Sequence, residues 1–262
     1  MRAGMIDLES NTTLVQAFPA HEAVPDGSGP FPTILVFHDR FGLTAQLRGV
    51  VNRLARAGFC AVAPNFYALP SSFASVAPEF MGTLTVGCFG PEEDAEADER
   101  AATLTYERAE AVFRQAARFL DTRARVHAGG LGALGFGMGG RLAFLAACAM
   151  PQAISACVAF YPEGLGSERP LFHGQADPLG RAESLTAAVR LFYGGLDDSI
   201  HEAQRERVRA RLTQLGKDFH IEAFPEAGHD FFCSDRESYR IKASKTAWEE
   251  ALAFFRATLG AA

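Results

Sequence analysis

Three short segments hold residue types and spacings that could do chemistry. The first is Gly129-Gly-Leu-Gly-Ala-Leu-Gly-Phe-Gly-Met-Gly-Gly140, which contains seven of the 25 glycines in the chain. It fits G-x-G-x-x-G through Gly130, Gly132 and Gly135, and again through Gly135, Gly137 and Gly140. A dinucleotide site uses that spacing to press backbone against a pyrophosphate, and it needs a helix, a second strand and an acid about 20 residues on. The run Ile154–Phe160 followed by Glu163 meets those formal requirements. Gly135-Phe136-Gly137-Met138-Gly139 has a second reading as a strand turning sharply into a helix. A nucleophile would then stand at the centre, and helix N–H groups would face an oxyanion. Two later segments decide between these readings. Tyr193-Gly194-Gly195-Leu196-Asp197-Asp198 ends an apolar run with an acid, and Ala227-Gly228-His229-Asp230-Phe231-Phe232 follows another run with a histidine. A turn, then an acid, then a histidine is one chain order of a catalytic triad for acyl transfer. Nucleotide binding accounts for neither later segment, so no nucleotide is expected.

The elements that must position these residues alternate in type. Strands are predicted over Thr12–Phe18, Pro32–Phe37, Phe59–Ala63, Gly130–Leu134, Ile154–Phe160, Ala188–Tyr193 and Phe219–Phe224. Several are continuous apolar runs, as expected for strands covered on both faces. Helices are predicted over Leu47–Ala57, Tyr106–Leu120, Met138–Met150, His201–Leu215 (with Gly216 as its cap) and Tyr239–Leu259. Met138–Met150 is almost wholly apolar and should be buried. The alternation implies one α/β domain over 1–262, with a mostly parallel sheet and helices on both faces. Residues 69–100, with three prolines and the acids Glu92, Glu93, Asp94, Glu96, Asp98 and Glu99, break the pattern and read as a lid or a solvated surface loop.

Taken together, the motifs resemble the dienelactone hydrolase (carboxymethylenebutenolidase) family of α/β-hydrolases. Phe37-His38-Asp39-Arg40-Phe41-Gly42-Leu43 is similar to the family's His-Glu-x-Phe-Gly loop. Gly58-Phe59-Cys60-Ala61-Val62-Ala63-Pro64-Asn65-Phe66-Tyr67 is similar to its Gly-Tyr-x-Ala-x-x-Pro-Asp-Leu-Tyr, and Gly135-Phe136-Gly137-Met138-Gly139-Gly140 to its Gly-Phe-Cys-Met-Gly-Gly. The resemblance implies a catalytic pair of His229 and Asp197. It also implies an oxyanion hole from the backbone N–H groups of Met138 and Arg40, and a site acid at Asp39, one methylene shorter than the family's glutamate. His38 and Arg141 read as structural.

Two positions depart from the family. Its nucleophilic cysteine is Gly137 here, with no Ser or Cys within two residues, so the covalent mechanism does not carry over. Its substrate-gripping arginine four residues after the histidine is Cys233, so hydrolysis of dienelactone itself is not expected. The expected function is carbonyl chemistry on a lactone, ester or related small molecule. It would proceed through an activated water or substrate hydroxyl, or by proton transfer or ring closure. The alternatives are a non-catalytic binder of a small molecule or protein partner, and a cysteine hydrolase inactivated by a Cys-to-Gly change.

Composition narrows the class further. At 262 residues and 48% hydrophobic the chain can build a large core. A net charge of −6 argues against general nucleic-acid or anionic-membrane binding. No apolar run reaches bilayer length, and residues 1–13 lack a signal-peptide core, so a cytoplasmic location is expected. The five cysteines show no metal-ligand spacing and read as buried free thiols, and no cofactor or metal is implied. Oligomeric state is not legible.

Overall fold

A computed structural model describes residues 1–8, 18–67, 91–121, 126–168 and 175–260. One eight-stranded sheet organises it, in the order β1-β2-β4-β3-β5-β6-β7-β8. The strands are β1 Arg2–Leu8, β2 Phe18–Val24, β3 Phe31–Phe37, β4 Cys60–Pro64, β5 Val126–Phe136, β6 Ile154–Phe160, β7 Ala188–Gly194 and β8 Phe219–Phe224. β2 runs antiparallel to both β1 and β4, while β4, β3, β5, β6, β7 and β8 are mutually parallel. The helices are α1 Ala45–Arg56, α2 Pro91–Ala102, α3 Tyr106–Asp121, α4 Met138–Ala149, α5 Glu202–Gln214 and α6 Ile241–Leu259.

The continuous apolar runs became the central strands. Ile34, Leu35, Val36 and Phe37 of β3 and Ala156–Phe160 of β6 have no accessible surface. α4 is apolar except for Arg141 and is enclosed from Met138 to Cys148. α1 instead buries one face, Leu47, Val50, Val51 and Leu54, and is capped by the Thr44 side chain, which accepts from Leu47 N–H at 3.2 Å.

Of the strand expected at Thr12–Phe18, residues 12–17 lie outside the described residues; the described strand β2 begins at Phe18. Its FPAHEAV sequence hides a buried strand, because His21 and Glu22 are buried; His21 Nε2 lies 3.1 Å from Asn52 Oδ1, and Glu22 faces Arg2 at 3.7 Å. β1 was not foreseen, since all but Leu8 of its residues are at least partly exposed and it has no apolar run. Of 69–100, residues 69–90 lie outside the described residues, but 91–100 is helical, as part of α2 with Pro91 at its first position.

Candidate active site

The chemistry-bearing residues all follow the C-terminal ends of adjacent parallel strands. Asp39 and Arg40 lie just past β3, Gly137 directly after β5, Tyr161 and Glu163 past β6, Asp197 past β7 and His229 past β8. A parallel sheet places its strand ends along one edge, so residues up to 190 positions apart in sequence meet there.

Packing fixes the β5–α4 turn. A Cβ on Gly135 would lie 2.1 Å from the Gly139 carbonyl oxygen, and one on Gly139 would lie 2.2 Å from that of Phe37. No L side chain fits at either position. Gly137 differs: it sits at φ 53°, ψ −123°, and a Cβ there would meet only the Asp39 Cβ, at 3.7 Å. The space suits a side chain although the backbone favours glycine. Gly137 N–H donates to Phe160 O (3.1 Å), and Gly137 O accepts from Glu163 N–H (3.2 Å). Arg141, buried in α4, donates to Glu163 O at 3.1 Å and so braces the same corner. Met138 is the first residue of α4, where backbone N–H groups have no intrahelical partner.

His229 Nδ1–H donates to Asp197 Oδ2 at 2.8 Å. The Asp197 side chain is fully buried, and its Oδ1 accepts from Ser199 and Ile200 N–H at 2.8 and 2.9 Å. Those bonds compensate the buried charge and fix the carboxylate's direction. Asp197 is therefore both turn residue and histidine partner, and the helix that follows has its N-cap at His201. The His229 loop is pegged by Phe231, fully buried against Phe224 and Tyr161, and by Phe232, which stacks on Phe136 at 5.1 Å. Burial works against charge on His229, but the Asp197 hydrogen bond and the charges of Asp230, Asp197 and Glu163 outweigh it and raise the pKa.

Asp39 Oδ1 accepts from Phe41 N–H at 2.8 Å. Burial pushes its carboxyl up to about 7; the Phe41 bond opposes this, the Asp230 charge adds to it, and Arg236 and Arg40 pull against it. His38 is structural, as expected: fully buried, its Nδ1–H donates to Asp39 O at 2.6 Å and its Nε2 accepts from Phe66 N–H at 2.9 Å. Tyr67 O–H donates to Arg40 O at 2.8 Å and holds that peptide in place.

Sequence reasoning missed a second layer. Asp230 adopts φ 58° and brings Oδ1 to 3.7 Å from His229 Nε2. Arg236 lies over the Phe41 ring at 4.6 Å, with Arg40 over the same ring at 4.8 Å. Asp94 of α2 joins both arginines, at 3.0 Å each, and Asp98 adds a second partner for Arg40. No local signal pointed to these contacts, because an acidic run by itself reads as a solvated face. Cys60, Cys148, Cys157 and Cys233 are buried free thiols, as expected; Cys88 lies outside the described residues. Burial raises the Cys233 thiol to about 11, which keeps it a neutral neighbour of Asp230 and Asp39. Among the described residues no group of three or more His, Cys, Asp or Glu side chains could hold a metal, and no helix is long and apolar enough to cross a membrane.

Comparison with known proteins agrees with this architecture. Residues 18–259 match the model of the dienelactone hydrolase family. A carboxymethylenebutenolidase-type protein of Methylorubrum extorquens is 33% identical over 238 residues, spanning 91% of this chain and 76% of that one. One from Escherichia coli O157:H7 is 30% identical over 242 residues, spanning 91% and 82%. A dienelactone-hydrolase-type crystal structure from Klebsiella pneumoniae superposes with a TM-score of 0.80 at 28% identity, covering 97% of this chain and 98% of that one. The α/β-hydrolase architecture follows from the sheet and from these neighbours, and the chain belongs to the dienelactone hydrolase family.

Proposed function

We propose that this protein hydrolyses a small carbonyl substrate, a lactone or an ester, with a water molecule in place of a covalent nucleophile. The carrying observation is the space at Gly137, bounded by Asp39 Cβ at 3.7 Å, on the sheet edge that also bears the His229–Asp197 pair. An absent cysteine side chain leaves room for about one water. In this reading His229 Nε2 takes a proton from that water, and the hydroxide adds to the substrate carbonyl. Asp197 stabilises the resulting imidazolium, and the Met138 and Arg40 N–H groups receive the oxyanion. Collapse breaks the acyl–oxygen bond, and His229 returns its proton to the leaving oxygen, giving a carboxylic acid and an alcohol. Asp39, held near neutral by burial, faces the same space and hydrogen-bonds the water.

The test compares wild type, His229→Ala and Gly137→Cys on a panel of esters and lactones, with intact-protein mass spectrometry during turnover. The expected result is wild-type hydrolysis that collapses in His229→Ala, resists iodoacetamide and leaves no acyl adduct. Gly137→Cys should become iodoacetamide-sensitive and accumulate an adduct. Unchanged turnover in His229→Ala, or an adduct on wild type, overturns the proposal.

A further inference from the structure

We infer that the site around His229 is cation-tolerant and anion-rejecting: it takes neutral or cationic carbonyl compounds, and Asp230 and Glu163 set that preference. The inference adopts the site location proposed above and adds the substrate's charge class.

The argument is a local balance of charge. Asp230 points Oδ1 at His229 Nε2 from 3.7 Å, the nitrogen left free by the Asp197 bond, so a carboxylate stands where substrate must arrive. Its backbone φ of 58° is uncommon for a residue with a side chain, and Asp is among the few types that accept it. Glu163 is tied to the same corner through its N–H to Gly137 O at 3.2 Å, and its charge acts on both His229 and Arg40. Asp39 borders the Gly137 space.

Among the described residues, the two arginines whose charges act on Asp39 are already engaged. Arg40 is bonded to Asp94 and Asp98, and Arg236 to Asp94 at 3.0 Å, with Asp230 Oδ2 at 3.9 Å. A substrate carboxylate would have to displace Asp94 to reach either guanidinium. Cys233, buried and with its thiol held neutral, adds no positive charge. Among the described residues an arriving anion therefore meets the Asp230 and Glu163 carboxylates, with Arg40 and Arg236 already ion-paired, while a cation meets carboxylates near His229.

The test measures binding without turnover, so it stands apart from the hydrolysis proposal. Three N-methylamides share one linker and end in trimethylammonium, tert-butyl or carboxylate; the first two have nearly the same shape. Calorimetry on the full chain should rank them cation, neutral, anion, with roughly tenfold between neighbours, as one partly screened carboxylate gives at several ångströms. Asp230→Asn keeps a residue that tolerates positive φ and should cut the cation-to-neutral ratio several-fold, as should Glu163→Gln. Asp94→Asn leaves Arg40 with Asp98 alone and Arg236 with only the longer Asp230 contact, and should raise affinity for the anionic amide. A carboxylate ligand that binds wild type as well as the tert-butyl one overturns the inference. So does failure of the cationic amide to bind, or a ranking untouched by both carboxylate variants. The matching esters separate the two proposals: amides ranked as expected with no ester hydrolysed would refute the hydrolytic reading alone.

Discussion

The three glycines of the β5–α4 turn should respond very differently to one added methyl group. Consider Gly135→Ala, Gly137→Ala and Gly139→Ala. At Gly135 and Gly139 the new Cβ would sit 2.1 and 2.2 Å from backbone oxygens, far inside van der Waals contact. Relief requires β5, α4 or β3 to move, in a core where Phe37 and Leu142–Ala147 are essentially inaccessible. Each flanking variant should lose at least about 3 kcal/mol. At Gly137 the nearest atom is 3.7 Å away, so no steric cost arises. What remains is the positive φ of 53°, costing about 1–3 kcal/mol. A gain of about 0.4–1 kcal/mol from the less flexible unfolded chain partly offsets it. The net loss is at most about 2.6 kcal/mol, or up to roughly 10 °C in Tm for a domain of this size. Thermal unfolding with urea titration at one pH measures all three variants. If Gly137→Ala proved as damaging as its neighbours, or if either neighbour accepted alanine at no cost, the claim that this turn is closed by packing and open only at its centre would be refuted.

Other outcomes follow from the same geometry. Asp39→Asn keeps an acceptor for Phe41 N–H but removes a carboxyl whose folded pKa, about 7, lies above its unfolded value. A raised acid stabilises below the unfolded pKa and loses that contribution as pH climbs through the folded one. Urea unfolding should therefore show the variant gaining roughly 2–3 kcal/mol over wild type between pH 5 and 8, and parallel pH curves would contradict this. Asp197→Asn leaves burial as the main influence on His229, so the acid limb of kcat/KM should move to lower pH while kcat falls by about 10³–10⁴. A limb that stayed in place would show that Asp197 does not act through His229. His38→Ala leaves Phe66 N–H without its buried partner, while Asp39 O keeps Gly42 N–H at 3.2 Å, and should cost about 1–3 kcal/mol in urea. Because burial lowers the His38 pKa to about 4, wild type should lose stability as pH falls from the unfolded value near 6.5 towards 4, and the variant should lack that component.

How far these features were legible depends on the range of the forces behind them. The central strands were readable because burial on both faces writes a continuous apolar run, as in Thr33–Phe37 and Ile154–Phe160. β1 and β2 were not, because edge position and buried polar pairs such as His21–Asn52 dilute that signal. The closeness of His229 and Asp197 was inferable from chain order, since strand ends of a parallel sheet share an edge. The Asp94–Arg236 bond spans 142 positions and joins a helix hidden in an acidic run to a loop with no recognised motif. Nothing local encodes such a contact: either partner alone reads as a solvated charge. Asp230 was masked by its neighbour, because His229 explained the segment and the adjacent acid passed as loop polarity.

The distinction between local and distant causes also bears on Gly137. A reactive side chain at a strained turn needs surroundings that hold the strain, and here those surroundings stand without the side chain. Gly135 and Gly139 are glycine because an added Cβ would lie within 2.4 Å of neighbouring backbone, and the Gly137 peptide is pinned on both sides by Phe160 and Glu163. Arg141 braces Glu163 in turn. None of these contacts involves a side chain at position 137. The turn's shape is therefore a property of β3, β5, β6 and α4 together, and residue 137 can change chemistry without changing the frame. Replacing glycine with cysteine should alter reactivity far more than structure, which makes Gly137→Cys a clean probe of whether this edge of the sheet works through water or through a covalent bond.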